Sequence, residues 1–300
     1  MFNDTQPCNI PSAGRIVVIG DVHGDVQRFM KCLYACNIIN TNLQWIAVPK
    51  DTVVVQLGDQ VDSLSRGGTE QWETASDVEM IYMTDRLDGI ARVYGGRVLS
   101  LLGNHELMNV MGQFMYVSAK SVSALPLSLR HAMFKPGGTI AHLLAKRNVI
   151  VKIGSHLFCH GGIIPAFFEE AANFQQINYV TQKFLKRQPL TDTETQLLES
   201  VVFSESGILW TRLYMDLANS DLALLQKILD DLHSVMKTKR LYVGHNTVQN
   251  ISFVHQAKLV FADASLSRAY TSPYMQVIDI RNPDTDQEEM LVVQVSEKVN

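Results

Sequence analysis

Residues 15–24 read RIVVIGDVHG. Arg15–Ile19 is a run of β-branched residues without polar alternation, the pattern of a strand covered on both faces. It stops at Gly20, and Asp21 and His23 follow where the chain must turn. The same arrangement recurs twice further on. Thr52–Leu57 (TVVVQL) is closed by Gly58-Asp59, and Arg97–Leu102 (RVLSLL) by Gly103-Asn104. Between these runs, residues 25–38 place Val26, Phe29, Met30, Leu33 and Cys36 at helical spacing, and residues 69–93 carry a longer helical pattern. Strand, helix, strand, helix, strand predicts an α/β fold with right-handed crossovers and a largely parallel core. Ligands in such folds gather at the carboxyl ends of the strands, which is where each glycine is followed by Asp or Asn.

The rest of the chain is less regular. Residues 111–137, with Pro126 and Pro136, read as a surface insertion. Val149–Ile153 and His156–Cys159 flank Gly154-Ser155, a hairpin pattern. From Pro165 to Lys239 the pattern is mostly helical, clearest over 191–203 and 219–236, and predicts a helical cap inserted into the sheet domain at about 165–239. Arg240–Val243, Ala257–Phe261, Tyr274–Ile280 and Glu289–Val295 return to strand character. The last two are joined by a loop rich in Asn, Pro and Asp, so the end of the chain reads as a second, more antiparallel sheet. Residues 1–14 read as a tail and 15–300 as one domain.

Composition excludes several function classes. With 300 residues, 46% of them hydrophobic and 19% charged, the chain is globular rather than disordered. At this length roughly three quarters of the unfolded surface is buried on folding, so neither disulfide nor structural metal is required for stability. A net charge of −4 lacks the basic footprint of a nucleic-acid binder. Cys8, Cys32, Cys36 and Cys159 are too few and too unevenly spaced for a secreted disulfide framework, and Cys32 and Cys36 read as small apolar fillers of one helix face. The first residues, MFNDTQPCNIPSAG, show neither a basic start nor an apolar h-region. The charge-free stretches 153–168 and 241–257 fall short of the ~20 residues a membrane span needs. The expectation is a soluble, cytoplasmic protein without nucleic-acid or membrane partners.

Five short motifs carry the chemistry: Gly20–Gly24 (GDVHG), Gly58–Asp62 (GDQVD), Gly103–Glu106 (GNHE), His160–Gly162 (HGG) and Gly244–Asn246 (GHN). Each sets Asp, His or Asn beside glycine, so the backbone can turn sharply while side chains face a common centre. Mixed oxygen and imidazole donors suit divalent ions such as Mn, Fe or Zn. Two such ions about 3.5–4 Å apart can activate a water and clamp an in-line displacement, and phosphate esters suit that clamp because their oxygens need neutralising. One imidazole free of metal is then wanted to protonate the leaving oxygen. From spacing alone His23, His105, His160 and His245 all qualify.

In this order the motifs resemble the calcineurin-like metallophosphoesterases, and most closely their phosphoprotein phosphatase branch. Gly207–Arg212 (GILWTR) and Val260–Tyr270 (VFADASLSRAY) are similar to stretches of the Shewanella-like protein phosphatases. The resemblance covers about residues 15–281 and implies a central mixed β-sandwich flanked by helices. It implies one metal held by Asp21, His23 and Asp59 and a second by Asp59, Asn104, His160 and His245, with Mn²⁺ the expected ion and Fe or Zn the other fits. It further implies His105 as the general acid, oriented by Asp62, with Asn104 also near the substrate phosphate and Glu106 a support for the loop. The implied substrate is a phosphoprotein or phosphopeptide bearing phosphorylated Ser, Thr or Tyr.

One position departs from the family. An arginine normally follows the second Asp of GDxxD, whereas here Ser63 does and Arg66-Gly67 comes three residues later. Either the extra residues loop out and Arg66 still reaches the phosphate, which is the expectation, or that contact is lost. Arg212 is a second candidate for bidentate phosphate binding. Arg268 reads as structural, and Trp210 and Tyr214 as packing residues. A rival enzyme reading is a hydrolase of small phosphorylated molecules or dinucleoside polyphosphates. A metal-free scaffold would lack at least one ligand, and none is missing.

Overall fold

A computed structural model describes residues 5–66, 70–270 and 275–297. Its strands, in chain order, are β1 (Asn9–Ile10), β2 (Arg15–Ile19), β3 (Val53–Gln56), β4 (Arg97–Ser100), β5 (Ile150–Ile153), β6 (His156–Cys159), β7 (Arg240–Val243), β8 (Ser252–Val254), β9 (Leu259–Phe261), β10 (Met275–Arg281) and β11 (Glu289–Val295). They form two mixed sheets, ordered β11-β10-β2-β3-β4 and β1-β5-β6-β7-β9-β8. The three strands read first from the sequence lie side by side in parallel, with Val17 opposite Val54 and Val54 opposite Val98.

Alternation along these strands builds the layers. Ile16, Val18, Val53, Val55 and Leu99 point inward and pack with Val151, Phe158, Tyr242 and Val260 of the other sheet, forming the sandwich interior. Val17, Ile19, Val54 and Val98 point outward against α1 (Val26–Ala35) and α2 (Asp77–Tyr94), which supply Phe29, Leu33, Met80 and Leu87. A short α3 (Asn104–Val110) follows β4 directly, and α4 (Ala119–Ala124), α5 (Leu127–Phe134) and α6 (Thr139–Leu144) lead to β5. The outer face of the second sheet, through Ile150, Leu157, Leu241 and Leu259, is covered largely by the long helical stretch between β6 and β7. That stretch comprises α7 (Phe168–Ala172), α8 (Phe174–Leu185), α9 (Asp192–Leu197), α10 (Leu213–Ser220) and α11 (Leu222–Met236). The fold is thus a mixed α/β sandwich flanked by helices. Among the described residues no helix is long and apolar enough to cross a membrane.

Four expectations from the sequence change. The terminal hairpin does not belong to a second sheet: β10 runs antiparallel to β2, with Ile278 opposite Val18, so β10 and β11 complete the first sheet. Its first six residues are all buried, and Arg15 fixes the register by donating to both carboxylate oxygens of Asp279 at 2.7 and 2.9 Å. It is β7 and β9 that continue the second sheet, parallel to β6. The segment before Arg15 is more than a tail, because β1 pairs with β5 and the buried Gln6 amide accepts from the Ser100 N–H. Residues 111–137 are not merely surface, since Arg130 and Phe134 within them are fully buried. The second helix begins only at Asp77, after a single 3-10 turn at Glu70–Trp72. Thr69, Gly67 and Tyr274, which belong to stretches read from the sequence, lie outside the described residues.

Candidate metal centre and active site

All five motifs meet at one end of the sandwich, where β2, β3, β4, β6 and β7 end. The turns are tight. His23, Asp59, Asp62 and His245 all adopt left-handed backbone, with φ of 38°, 52°, 70° and 58°, a conformation that costs a non-glycine residue of order 1–3 kcal/mol and that concentrates at functional sites. Two glycines allow the close approach. A Cβ on Gly103 would fall 2.2 Å from Asp59 Oδ1, and one on Gly244 would fall 2.4 Å from Asp21 Oδ1.

Asp21, His23, Asp59, Asn104, His160 and His245 are all buried, and the structure brings them together. His160 Nε2 lies 3.3 Å from Asp59 Oδ1 and 2.9 Å from Asn104 Oδ1. His23 Nε2 lies 3.9 Å from Asp59 Oδ2, and Asp21 Oδ1 is 3.9 Å from His160 Nδ1. Asp21 also accepts the His245 N–H at 3.1 Å. Donor atoms of Asp59, His160 and His245 fall within 4.8 Å of one another, as do those of Asp59, His23 and His105. Asp59 therefore belongs to two groups at once.

The imidazoles are oriented as metal ligands are. His23 donates from Nδ1 to the Val61 carbonyl at 3.0 Å, His160 from Nδ1 to the Leu57 carbonyl at 2.8 Å, and His245 from Nε2 to the Trp210 carbonyl at 2.9 Å. Spending one nitrogen on a carbonyl turns the other toward the centre, where His23 Nε2 also meets the Tyr270 hydroxyl at 3.1 Å. His23 and His245 are held neutral, the ligand form: burial, then Arg66, pushes His23 well below the usual imidazole range, and burial, then His160, takes His245 down to about 3. The carboxylates divide: against the upward push of burial, His160 and His105 hold Asp59 well below the usual carboxylate range, whereas Asp21 and Asp263 rise. Burial, then Asp263 and Asp59, drives Asp21 well above the carboxylate range, and burial pushes Asp263 up to about 6. No lysine or arginine among the described residues pairs with Asp21, Asp59 or Asp263. Against burial, Asp59 holds His160 above the usual imidazole range, so the set mixes neutral and protonated imidazoles with crowded carboxylates. Divalent cations would take the place of those protons, and these residues fit the implied metals.

His105 is placed differently. Its Nδ1 lies 2.8 Å from Asp62 Oδ2, and its Nε2 is 3.3 Å from Arg66 Nη2. The same Nε2 lies 3.8 Å from Asp59 Oδ2, so it faces both a guanidinium and the shared carboxylate. Glu106 is buried and accepts backbone N–H groups from Asp59, Gln60 and Gly103 at 2.9, 2.7 and 2.7 Å, which ties the second and third motifs together.

Arg66 reaches the site despite its shifted position. Its guanidinium lies between the rings of Tyr116 and Tyr270, 5.1 Å from each centroid, and donates to the Asp62 and Leu64 carbonyls. Ser63, at the position where the motif resemblance expects arginine, is fully buried and donates to the Thr74 carbonyl at 2.7 Å. Arg212 borders the cavity and is anchored on the His245 carbonyl at 3.1 Å. Arg268 instead grips Asp25 through both carboxylate oxygens at 2.8 Å. The cavity, about 610 Å³, is floored by Asp21, Asp59, Asn104, His105 and His245 and walled by Met115, Tyr116, Trp210 and Tyr270. Trp210 thus lines the cavity, whereas Tyr214 is buried and donates its hydroxyl to the Ile163 carbonyl.

Five residues near the site escaped the sequence reading: Asp263, Asn109, Arg130, Tyr116 and Tyr270. Asp263 had a signal, since it follows β9 at the same offset from its strand end that Asp21 takes after β2. Asp263 and Tyr270 also lie in the Val260–Tyr270 stretch quoted for its resemblance, though without a role, whereas Asn109, Arg130 and Tyr116 sit in helices and loops where nothing local marks them.

Comparison with known proteins agrees with this geometry. The family model of calcineurin-like phosphoesterases matches residues 14–257. Shewanella-like protein phosphatase 2 of Arabidopsis thaliana is 25% identical over 315 residues, spanning 89% of this chain and 75% of its own. Shewanella-like protein phosphatase 1 of Plasmodium berghei is 30% identical over 160 residues, spanning 52% of this chain and 41% of its own. Among solved structures, a cold-active protein-tyrosine phosphatase of a psychrophilic Shewanella superposes with a TM-score of 0.78 at 21% identity, over 97% of this chain and 83% of that one. A protein serine/threonine phosphatase of Saccharomyces cerevisiae gives a TM-score of 0.59 at 15% identity, over 97% and 82%.

Proposed function

Because the chain belongs to the calcineurin-like phosphoesterase family, we propose that it is a metal-dependent protein phosphatase that uses His105 as its general acid. The observation that carries this is the His105 Nε2, which opens on the cavity beside the donor set while Nδ1 is spent on Asp62. Asp21, His23 and Asp59 would hold one divalent ion, and Asp59, Asn104, His160 and His245 a second. Bound there, the ions would lower the pKa of a water and neutralise the phosphoryl oxygens. The mixed nitrogen and oxygen donors suit Mn²⁺, with Fe and Zn as alternatives.

The remaining work falls to this chain's own groups. Arg212 at the cavity lining and Arg66 beside His105 offer guanidinium donors to the non-bridging phosphate oxygens, and the Asn104 amide is part of the cavity floor. Arg66 must turn its Nη2 from His105 to the phosphate when substrate arrives. Nε2, then open to take a proton from solvent, would pass that proton to the leaving oxygen, with Asp62 holding the imidazolium in line. A protein substrate is supported by the relatives named protein phosphatases and by a cavity larger than a phosphate group, with the exposed Met115 and Tyr116 at its wall. Four free cysteines suit a reducing, cytoplasmic setting.

The test is a substrate panel run with Mn²⁺. Phosphotyrosyl and phosphoseryl peptides should be hydrolysed with higher kcat/KM than dinucleoside polyphosphates or small sugar phosphates. The reverse order would move the function to small phosphorylated metabolites.

A further inference from the structure

We infer that Arg130, which lies outside the cavity, is a positioning residue that locks the Asp62 carboxylate in the rotamer that serves His105. This rests on the functional reading above. Arg130 lies in the middle of α5, and its side chain is fully buried. Its Nη2 is 3.3 Å from Asp62 Oδ1 and 2.7 Å from Asp77 Oδ2, and its Nε donates to Asn109 Oδ1 at 2.6 Å. Asn109 in turn donates from Nδ2 to Asp62 Oδ1 at 2.9 Å and to the carbonyl of His105 itself at 2.9 Å. Both extra donors thus converge on Oδ1, leaving Oδ2 to His105 Nδ1 at 2.8 Å. Turning the carboxylate out of its present plane would break the Arg130, Asn109 and His105 contacts together. The guanidinium is itself held flat over the Phe134 ring, 4.9 Å from its centroid.

Stability alone gives no reason for this residue. A fully buried arginine is costly even when paired, and an apolar side chain of similar volume is often equally stable or better. Here the cost is visible, because Arg130 Nη1 is buried without a hydrogen-bond partner. Asp77, which shares Nη2 with Asp62, makes no hydrogen bond or ion pair with the proposed metal ligands among the described residues, so Arg130 joins the site through the Asp62 oxygen that does not face His105 and through Asn109.

The experiment is a double-mutant cycle on kcat with a phosphopeptide. Arg130→Met should lower kcat about 10- to 100-fold, the usual cost of losing an outer-shell partner, with KM and bound-metal content unchanged. In the Asp62→Asn background the same substitution should lower kcat little further. Asp77→Asn serves as the structural control: it should lower the Tm and keep kcat. Where Arg130→Met does not fold, the cycle is run with Arg130→Lys, which keeps the charge and loses the fork. Full multiplication of the Arg130 and Asp62 losses, a change in KM alone, or an equal kcat loss in Asp77→Asn would each overturn the inference while leaving the general-acid reading intact. An Asp62→Asn enzyme with undiminished kcat would overturn both.

Discussion

His156 and His160 stand at opposite ends of one strand, about 13 Å apart at the usual rise per residue, and the environments they meet are nearly matched in geometry and opposite in charge. Both side chains are fully buried, and both put Nε2 3.3 Å from a carboxylate, Glu288 for His156 and Asp59 for His160. His156 adds Asp284 at 3.7 Å, and the donor atoms of that trio lie as close together as those at the other end. The difference lies in what neutralises the acids. At His156, Lys239 pairs with both Asp284 and Glu288, and Arg240 pairs with Glu288. Against the upward push of burial, hydrogen bonds from Ser155 and Lys239 take Asp284 down to about 2, and those from Lys239 and the Asp284 N–H take Glu288 down to about 2. At His160 no lysine or arginine among the described residues pairs with the acids. Against burial, imidazoles, those of His160 and His105 foremost, hold Asp59 low, and Asp21 and Asp263 are pushed up. A cluster of His and carboxylate is therefore a structural ion-pair network where the chain brings its own counter-charge, and a seat for external cations where it does not.

The contrast can be broken most severely at Asp59. Asp59→Asn, or stripping with a chelator, should abolish phosphatase activity, and Mn²⁺ should restore it only in the unsubstituted enzyme. Activity indifferent to chelator would mean that the end lacking Lys and Arg is not a metal seat. Next in size, His105→Asn should lower kcat by about 10²–10⁴ with both metals retained by elemental analysis. Loss of metal in that variant would make His105 a ligand. Arg66→Ala should raise KM and the inhibition constant of inorganic phosphate about tenfold, worth about 1.4 kcal/mol, and unchanged values would hand the contact to Arg212. The smallest effect belongs to the His156 end and is read in stability. Burial lowers His156 from 6.5 to about 4, so below pH 6.5 the unfolded chain takes the proton first and stability falls as pH drops toward 4. The depressed Asp284 and Glu288 act in the same direction from about pH 4.5 down to about 2, losing their contribution as they protonate. The urea midpoint should therefore decline on acidification across that range, and His156→Asn should flatten its upper part. An identical slope in the variant would remove His156 from the account.

Much of the site was legible because its ligands follow strand ends directly. A buried strand, a glycine and a donor residue form a local pattern, and Asp21, Asp59 and Asn104 needed nothing more. His160 and His245 were equally plain, standing beside Gly161 and Gly244. What sequence could not carry was pairing at long range. Nothing in residues 275–295 says that they will add to β2 rather than to β9; that choice rests on Arg15 meeting Asp279, 264 residues apart. The support of Asp62 by Asn109 and Arg130 is hidden for the same reason, since an arginine among Met, Ser and Pro reads as solvated until the fold buries it. Arg66 is intermediate. The motif flagged its displacement from Ser63, but only the two tyrosines on either side explain how a shifted arginine returns to the site.

The seam between the sheets has one more consequence. Asp21, His23, Asp59 and Asn104 hang from the first sheet, and His160 and His245 from the second. Ions shared by the two sets would act as a hasp across the sandwich, closing only when both leaves are in register. Any species in which the leaves part loses the donors together, so metal affinity adds RT ln(1 + [M]/Kd) to the stability of the closed form alone. Titrating the metal against unfolding would thus gauge how firmly the two leaves are shut, quite apart from any phosphate the enzyme turns over.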